Sequence, residues 1–271
     1  MLILFLDDAA QNNCSRERVG RLVAIGGIAI EASICRKLEL AVDELCRKTY
    51  GFPLTEPFKW SPNKDHWMRE NIIGDRREQF FNDVLKLAAQ HSAIGLVAVS
   101  DATKGLAIPQ AKTAEMDVLL MTLERFDLAL AQDVGMVVAA RPSGGKGDEH
   151  KFLVSCGEAI NAGTDYVKFE KFVINVVTMP FPNSRLLQLA DLVVSISTAM
   201  VAGHKEFAGK VFPAVRTILR ASGGRVGGIG LKIHPDFSYA NLYHWLLGDI
   251  AFKNKGLPNA SLPFPNSEDK Y

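Results

Sequence analysis

Two stretches near the start of the chain, residues 2–7 up to the closing Asp7 and residues 22–30, are apolar at consecutive positions, and the second is rich in β-branched side chains. A strand points successive side chains to opposite faces, so a continuous apolar run has to be covered on both sides. That requirement predicts an α/β fold, a mixed β-sheet flanked by helices. The intervening residues 9–20 are polar enough for a turn or hairpin loop, which makes adjacent antiparallel strands the economical arrangement.

Helical spacing takes over at 33–50, where Ile34, Leu38, Val42 and Leu45 recur between a Ser33 cap and a Gly51 terminator. Pro53, Pro57 and Pro62 make 51–64 an irregular crossover, and one helix or two short ones are expected over about 65–90. Further strands are expected at 94–99, 136–140 and 169–177. Helices are expected at 113–130, 148–161, 184–201, 212–221 and 239–247, with a short segment at 231–235 before the last of them. Residues 1–253 then form one domain with helical insertions. Residues 254–271, dominated by Pro, Asn, Ser and charge, form an irregular C-terminal extension.

Lys and Arg number 31 against 30 Asp and Glu, so any nucleic-acid contact has to be a local patch. Cys14, Cys35, Cys46 and Cys156 are scattered without the paired spacing of a zinc knuckle or a disulfide framework, and reduced thiols follow. The apolar opening meets Asp7 and Asp8 too soon to be a signal peptide, and no later run is free enough of charges and helix breakers to cross a bilayer. A cytoplasmic location with no membrane partner is therefore expected. The glycine runs at 144–147 and 223–230 lack the spacing of a phosphate loop, and neither a serine nucleophile elbow nor a zinc-binding histidine helix is present.

Two features could carry chemistry. Asp7 and Asp8 close the first strand, where an α/β sheet tends to place ligands. The competing reading gives one of them an Asx-turn and the other a place in water. The helix at 184–201 is apolar almost all round, yet Ser184, Gln188, Asp191, Ser195 and Thr198 fall near one stripe. A carboxylate in so apolar a helix needs an Arg or Lys, backbone donors or a metal, so Asp191 faces one of these. Glu56 and Lys59 lie in the proline-rich crossover beside Phe58 and Trp60, which can anchor that loop to the core. Lys232 and His234 could reach the mouth of the same site from the late segment. Glu124 and Lys104 earn no catalytic role from their positions.

Phe5 to Ala10, Gln188 to Val193 and Gly230 to Pro235 together resemble, in the same order and over most of the chain, the DUF3800 family, which is similar to RNase H-like proteins. The resemblance implies a ribonuclease H-like superfold with Mg²⁺ or Mn²⁺ as cofactor. It makes Asp7 and Asp191 metal ligands, Asp8 an auxiliary carboxylate, Glu56 a third ligand and Lys59 a phosphate contact. Ser184, Gln188 and Lys232 become substrate-side positions, with Arg141 a further phosphate partner. The family's central-strand acid is expected near Ala139 or Ala140, where this chain has none, and Asp148 or Glu149 could substitute if the glycine turn folds back. The implied activity is metal-dependent phosphodiester hydrolysis on DNA or RNA. The competing expectation is a catalytically inactive RNase H-like module that binds nucleic acid or protein, and a homodimer is compatible with the apolar-rich surface.

Overall fold

The computed structural model describes residues 1–235 and 239–249. Its six strands are β1 (Leu2–Gln11), β2 (Leu22–Glu31), β3 (Ile94–Asp101), β4 (Gly135–Ala140), β5 (Val177–Met179) and β6 (Leu231–His234), in the spatial order β5-β4-β1-β2-β3-β6. β2 runs antiparallel to β1 and to β3, while the β1–β4, β4–β5 and β3–β6 pairs are parallel. The antiparallel hairpin read from the first two apolar runs is present, with Leu2 opposite Glu31 and Gln11 opposite Leu22.

Both faces of the sheet are covered, as the continuous apolar runs require. On one face Phe5, Leu22, Ile28, Ile30 and Val97 pack against α1 (Ala32–Glu44), α3 (Asp75–Gln90), α6 (Arg185–Ala202) and α8 (Phe212–Ile218). On the other, Leu4, Leu6, Val23, Ala29 and Leu96 pack against α4 (Ala114–Leu130) and one side of α5 (Lys146–Ala162). The remaining short helices are α2 (Trp67–Asn71), α7 (Lys205–Ala208) and α9 (Ala240–Leu247).

α6 is the central element of the first face, lying across β1 and β2 with every residue except Ser195 buried. Burial at roughly 1.5–3 kcal/mol per large aliphatic side chain, rather than helix propensity, holds it there. Ser184 caps its first turn by accepting from Leu186 N–H and Leu187 N–H. Gly203, at φ 94°, ends it, and Arg16 donates to the Val201 and Met200 carbonyls of the last turn. The helix approaches the sheet so closely that a Cβ on Gly27 would lie 2.7 Å from Ala190 Cβ and collide with Phe5 O. Among the described residues α6 is the helix long and apolar enough to cross a membrane, and it is almost entirely buried inside the fold.

The region 65–90 forms two helices, one of the two arrangements expected there, because the positive φ of 56° at Gly74 separates α2 from α3. Two expected elements differ. The strand expected at 169–177 is reduced to β5, which starts at Val177. Phe169 and Phe172 stack at 5.1 Å and Phe172 meets Phe126, so this segment is anchored through its rings to the α4 layer, and its backbone reaches the sheet only through a single bridge from Phe172 to Gly135. The helix expected to reach 221 stops at Ile218, because Leu219 turns extended and bridges Gly95. The extension 254–271 lies outside the described residues.

Candidate functional site

β1 and β4 pair in parallel only as far as Leu6 and Ala139, and Asp7 is the next residue of β1. A strand that loses its neighbour at its carboxyl end borders a crevice, the usual ligand position in such sheets. Phe5, Asp7 and Ala9 share the α6 face by strand alternation, as Ala140 does on β4. Ala140 thus stands beside Asp7 where the resemblance expects an acid.

The polar stripe of α6 crosses that crevice and holds the proline-rich crossover. Phe58 N–H donates to Gln188 Oε1 at 3.1 Å, and Trp60 N–H donates to Asp191 Oδ2 at 2.7 Å. Alternate N–H groups of an extended chain point the same way, and helix residues three apart are neighbours, so one stripe can carry one segment. Ser195 Oγ donates to Asp191 Oδ1 at 3.2 Å. Lys59, between the two suspended residues, has its Nζ 5.2 Å from the centre of the Phe181 ring.

Asp7, Asp191 and Lys59 form one electrostatic unit. Burial first, and the Asp191 charge second, push the Asp7 pKa from 3.8 up to about 8, against the lowering effects of the Asp8 N–H and Lys59. Asp191, 2% exposed, is also raised by burial, with Trp60 N–H, Lys59 and Ser195 working the other way. Asp8 is exposed; its N–H donates to Asp7 Oδ1 at 2.9 Å, while its charge adds to the repulsion on both Asp7 and Asp191. Asp8 also borders a small pocket of about 280 Å³ on the α4 side of the sheet. Among the described residues Asp191 is answered by a backbone donor, a hydroxyl donor and a nearby lysine, and by no direct ion pair.

The other expected site residues fall elsewhere. Glu56 Oε1 accepts from Trp67 N–H at 2.8 Å and lies 3.9 Å from His66, so its described contacts tie it to the start of α2. Ser184 is the α6 cap, and its hydroxyl also donates to Glu39 at 3.3 Å. Gln188 is fully buried: its oxygen also accepts from Arg185 at 2.8 Å, and its amide nitrogen donates to the Phe181 and Pro182 carbonyls. It is therefore a brace under the site. Lys232 feels Arg125, Glu124 and Asp117 on the α4 side, with its pKa lowered to about 8 chiefly by burial. Arg141 pairs with Glu149 at 3.0 Å and Glu149 also accepts from Thr178, while Asp148 lies 3.5 Å from Lys151, so neither acid takes the place beside Ala140.

Two features were missed in the sequence. Arg185, only 6% exposed, joins Asp43, Gln188 and the Glu56 carbonyl beneath the site; its place in an otherwise apolar run was the available signal. Arg69 and Arg77 flank a cleft beyond Trp60, and a basic cluster in a neutral chain could have drawn notice to them.

The donor set around the crevice is all oxygen, which suits a hard divalent cation. Each Asp191 oxygen accepts one hydrogen bond and keeps a further acceptor site, and Asp7 Oδ2 has no described partner. Two mutually repelling carboxylates, Asp191 buried and Asp7 half-buried, thus fit Mg²⁺ or Mn²⁺ in charge and chemistry. Among the described residues, no group of three or more His, Cys, Asp or Glu is arranged to hold a metal by itself. Compared with protein-family models and with curated proteins, the chain matches none.

Proposed function

We propose that the crevice between β1 and α6 is the centre of a metal-dependent phosphodiesterase of RNase H-like fold acting on nucleic acid, related to the DUF3800 family. The observation that carries the reading is that Asp7 and Asp191, from elements 184 positions apart in sequence, lie close enough for the charge on one to raise the proton affinity of the other. Purely structural aspartates are normally buried beside a cation or enough donors to keep them ionised at neutral pH. Asp7 is held in the opposite condition, its pKa pushed up to about 8, which a divalent cation would relieve. The strand order also favours the RNase H-like assignment. An antiparallel β1-β2-β3 meander is followed by parallel β4 and β5 after helices, with acids on the first strand and a late helix.

In this reading Asp7 and Asp191 hold the ion, Asp8 adds negative charge at the solvent side, and Lys59 contacts a substrate phosphate. Gln188 and the Asp191 carboxylate keep residues 58–60 in place by accepting from their backbone. When bound, the cation would supply Lewis acidity and a water nucleophile near neutral pH. The test is cleavage of labelled single- and double-stranded DNA, RNA and hybrids with Mg²⁺ or Mn²⁺, by the intact protein and by Asp7→Asn and Asp191→Asn. Loss in both variants is expected, and unchanged cleavage in both refutes the assignment.

A second reading is favoured by Ala140. With a methyl group beside Asp7 and Lys59 already countering the acids, the same crevice could bind nucleic acid without cutting it. Tight binding without cleavage under either ion would select it.

A further inference from the structure

A cleft of about 680 Å³ opens beside Trp60, between the α2–α3 corner and the α6–α7 corner. It follows the same two elements that build the acidic crevice. Gln11 lines it four residues beyond Asp7 on β1, and Ala199 eight residues beyond Asp191 on α6. At ~3.3 Å per strand residue and ~1.5 Å per helix residue, both routes place it about 12–13 Å from the acids. That is too far for the same phosphate and near enough for a neighbouring one on the same strand.

One wall carries Arg69 and Arg77. Arg69 is exposed and donates to the Pro62 carbonyl at 3.3 Å; Arg77 donates to the Ile72 and Arg69 carbonyls. Among the described residues neither is paired with a carboxylate. The Arg77 pKa is lowered by burial and then by the charge of Arg69, so the two cations repel each other with no anion between them. Glu78, also in the wall, is taken by Lys210 at 2.9 Å, and Glu206 lies at the α7 side. Phe207, on α7, lines the same cleft with its ring 64% exposed.

Paired guanidinium groups with open donors and an exposed ring in one cleft are the parts that bind a phosphate and stack a base. We infer that this cleft is a binding site for a single-stranded nucleic-acid segment, with Arg69 and Arg77 on a phosphodiester and Phe207 against a base. The inference rests on the phosphodiesterase reading for the direction of the strand, which runs from the cleft into the acidic crevice. A single strand fits better than a duplex because only unstacked bases can meet the ring.

The test is fluorescence anisotropy of a fluorescein-labelled oligothymidylate, without divalent ions, on the full chain and on Arg69→Ala, Phe207→Ala and Lys151→Ala. Lys151 lies on α5, outside the cleft, and its variant removes the same charge. Arg69→Ala should weaken binding about tenfold and reduce the salt slope by about 0.7. Phe207→Ala should weaken it roughly fivefold or more, and Lys151→Ala should leave it unchanged. Equal loss in Lys151→Ala, wild-type binding by both cleft variants, or equal affinity for a duplex of the same length overturns the inference. Cleavage by the wild type with binding indifferent to Arg69 removes the cleft and leaves the acidic centre. Binding that depends on Arg69 and Phe207, without cleavage under Mg²⁺ or Mn²⁺, removes the phosphodiesterase and leaves the cleft.

Discussion

Asp7→Asn should make the protein more stable, and the gain should depend on pH in a specified way. Burial and the Asp191 charge raise the Asp7 pKa from 3.8 to about 8 in the folded chain. Between those values the folded state holds a proton that the unfolded state has released, so stability contributed at this position falls as pH rises from about 4 to about 8. Below about 4 the acid is neutral in both states and costs nothing; above about 8 the full cost is present. A rise from 3.8 to about 8, at ~1.4 kcal/mol for each tenfold in proton affinity, bounds the cost at about 6 kcal/mol. Asp7 is only partly screened from solvent, and relaxation lowers such penalties, so about 2–3 kcal/mol is the expected gain. In a chain of this length that is roughly 5–10 °C in Tm. Asparagine has nearly the shape of the neutral acid, so little packing changes. Calorimetry of both proteins at pH 4, 6 and 9, without divalent ions, should give curves that coincide at pH 4 and separate progressively. A difference independent of pH, or a less stable variant at pH 9, would refute the electrostatic account of the crevice.

Lys59→Met removes a cation that lowers the proton affinity of both Asp7 and Asp191. The pH range over which wild-type stability falls should then extend further upward, read from the same calorimetric series. Gln188→Leu leaves the Phe58 N–H and one Arg185 donor without their acceptor. A loss of about 2–4 kcal/mol in urea unfolding is expected, because unpaired buried donors are costly; a loss below about 0.5 kcal/mol would show that the brace is dispensable. Gly27→Ala drives a methyl group into Phe5 O and Ala190 Cβ, and about 3 kcal/mol of destabilisation follows from overpacking between α6 and the sheet. An unchanged unfolding midpoint would contradict that close approach.

The sheet was legible where hydrophobic pattern and chain order agreed. Residues 22–30 could only be a strand buried on both faces, and the short polar connection from 2–7 fixed its antiparallel partner. The stripe on α6 was legible because Gln188, Asp191 and Ser195 interrupt an apolar run at helical spacing. Its partners were not, since Asp191 is answered largely by the main-chain N–H of Trp60, and backbone donors leave no mark in a sequence. Glu56 was given a ligand role by the resemblance alone, whereas a local hydrogen bond ties it to the start of α2. Lys232 shows the limit of placing a strand without its face: Leu231 and Ile233 point into the α6 layer, and alternation sends the lysine to the α4 side. Residues 169–177 looked like a strand by composition, but ring packing between Phe169, Phe172 and Phe126 is a tertiary preference that no local pattern announces.

The central claim is that Asp7 and Asp191 share a divalent ion, and isothermal titration with Mn²⁺ near pH 7 in two buffers of different ionisation enthalpy tests it directly. The account predicts a binding heat that changes with the buffer, because Asp7 must give up its proton when the ion enters, and loss of that heat in Asp191→Asn. A heat independent of the buffer, or undiminished in the variant, would contradict it.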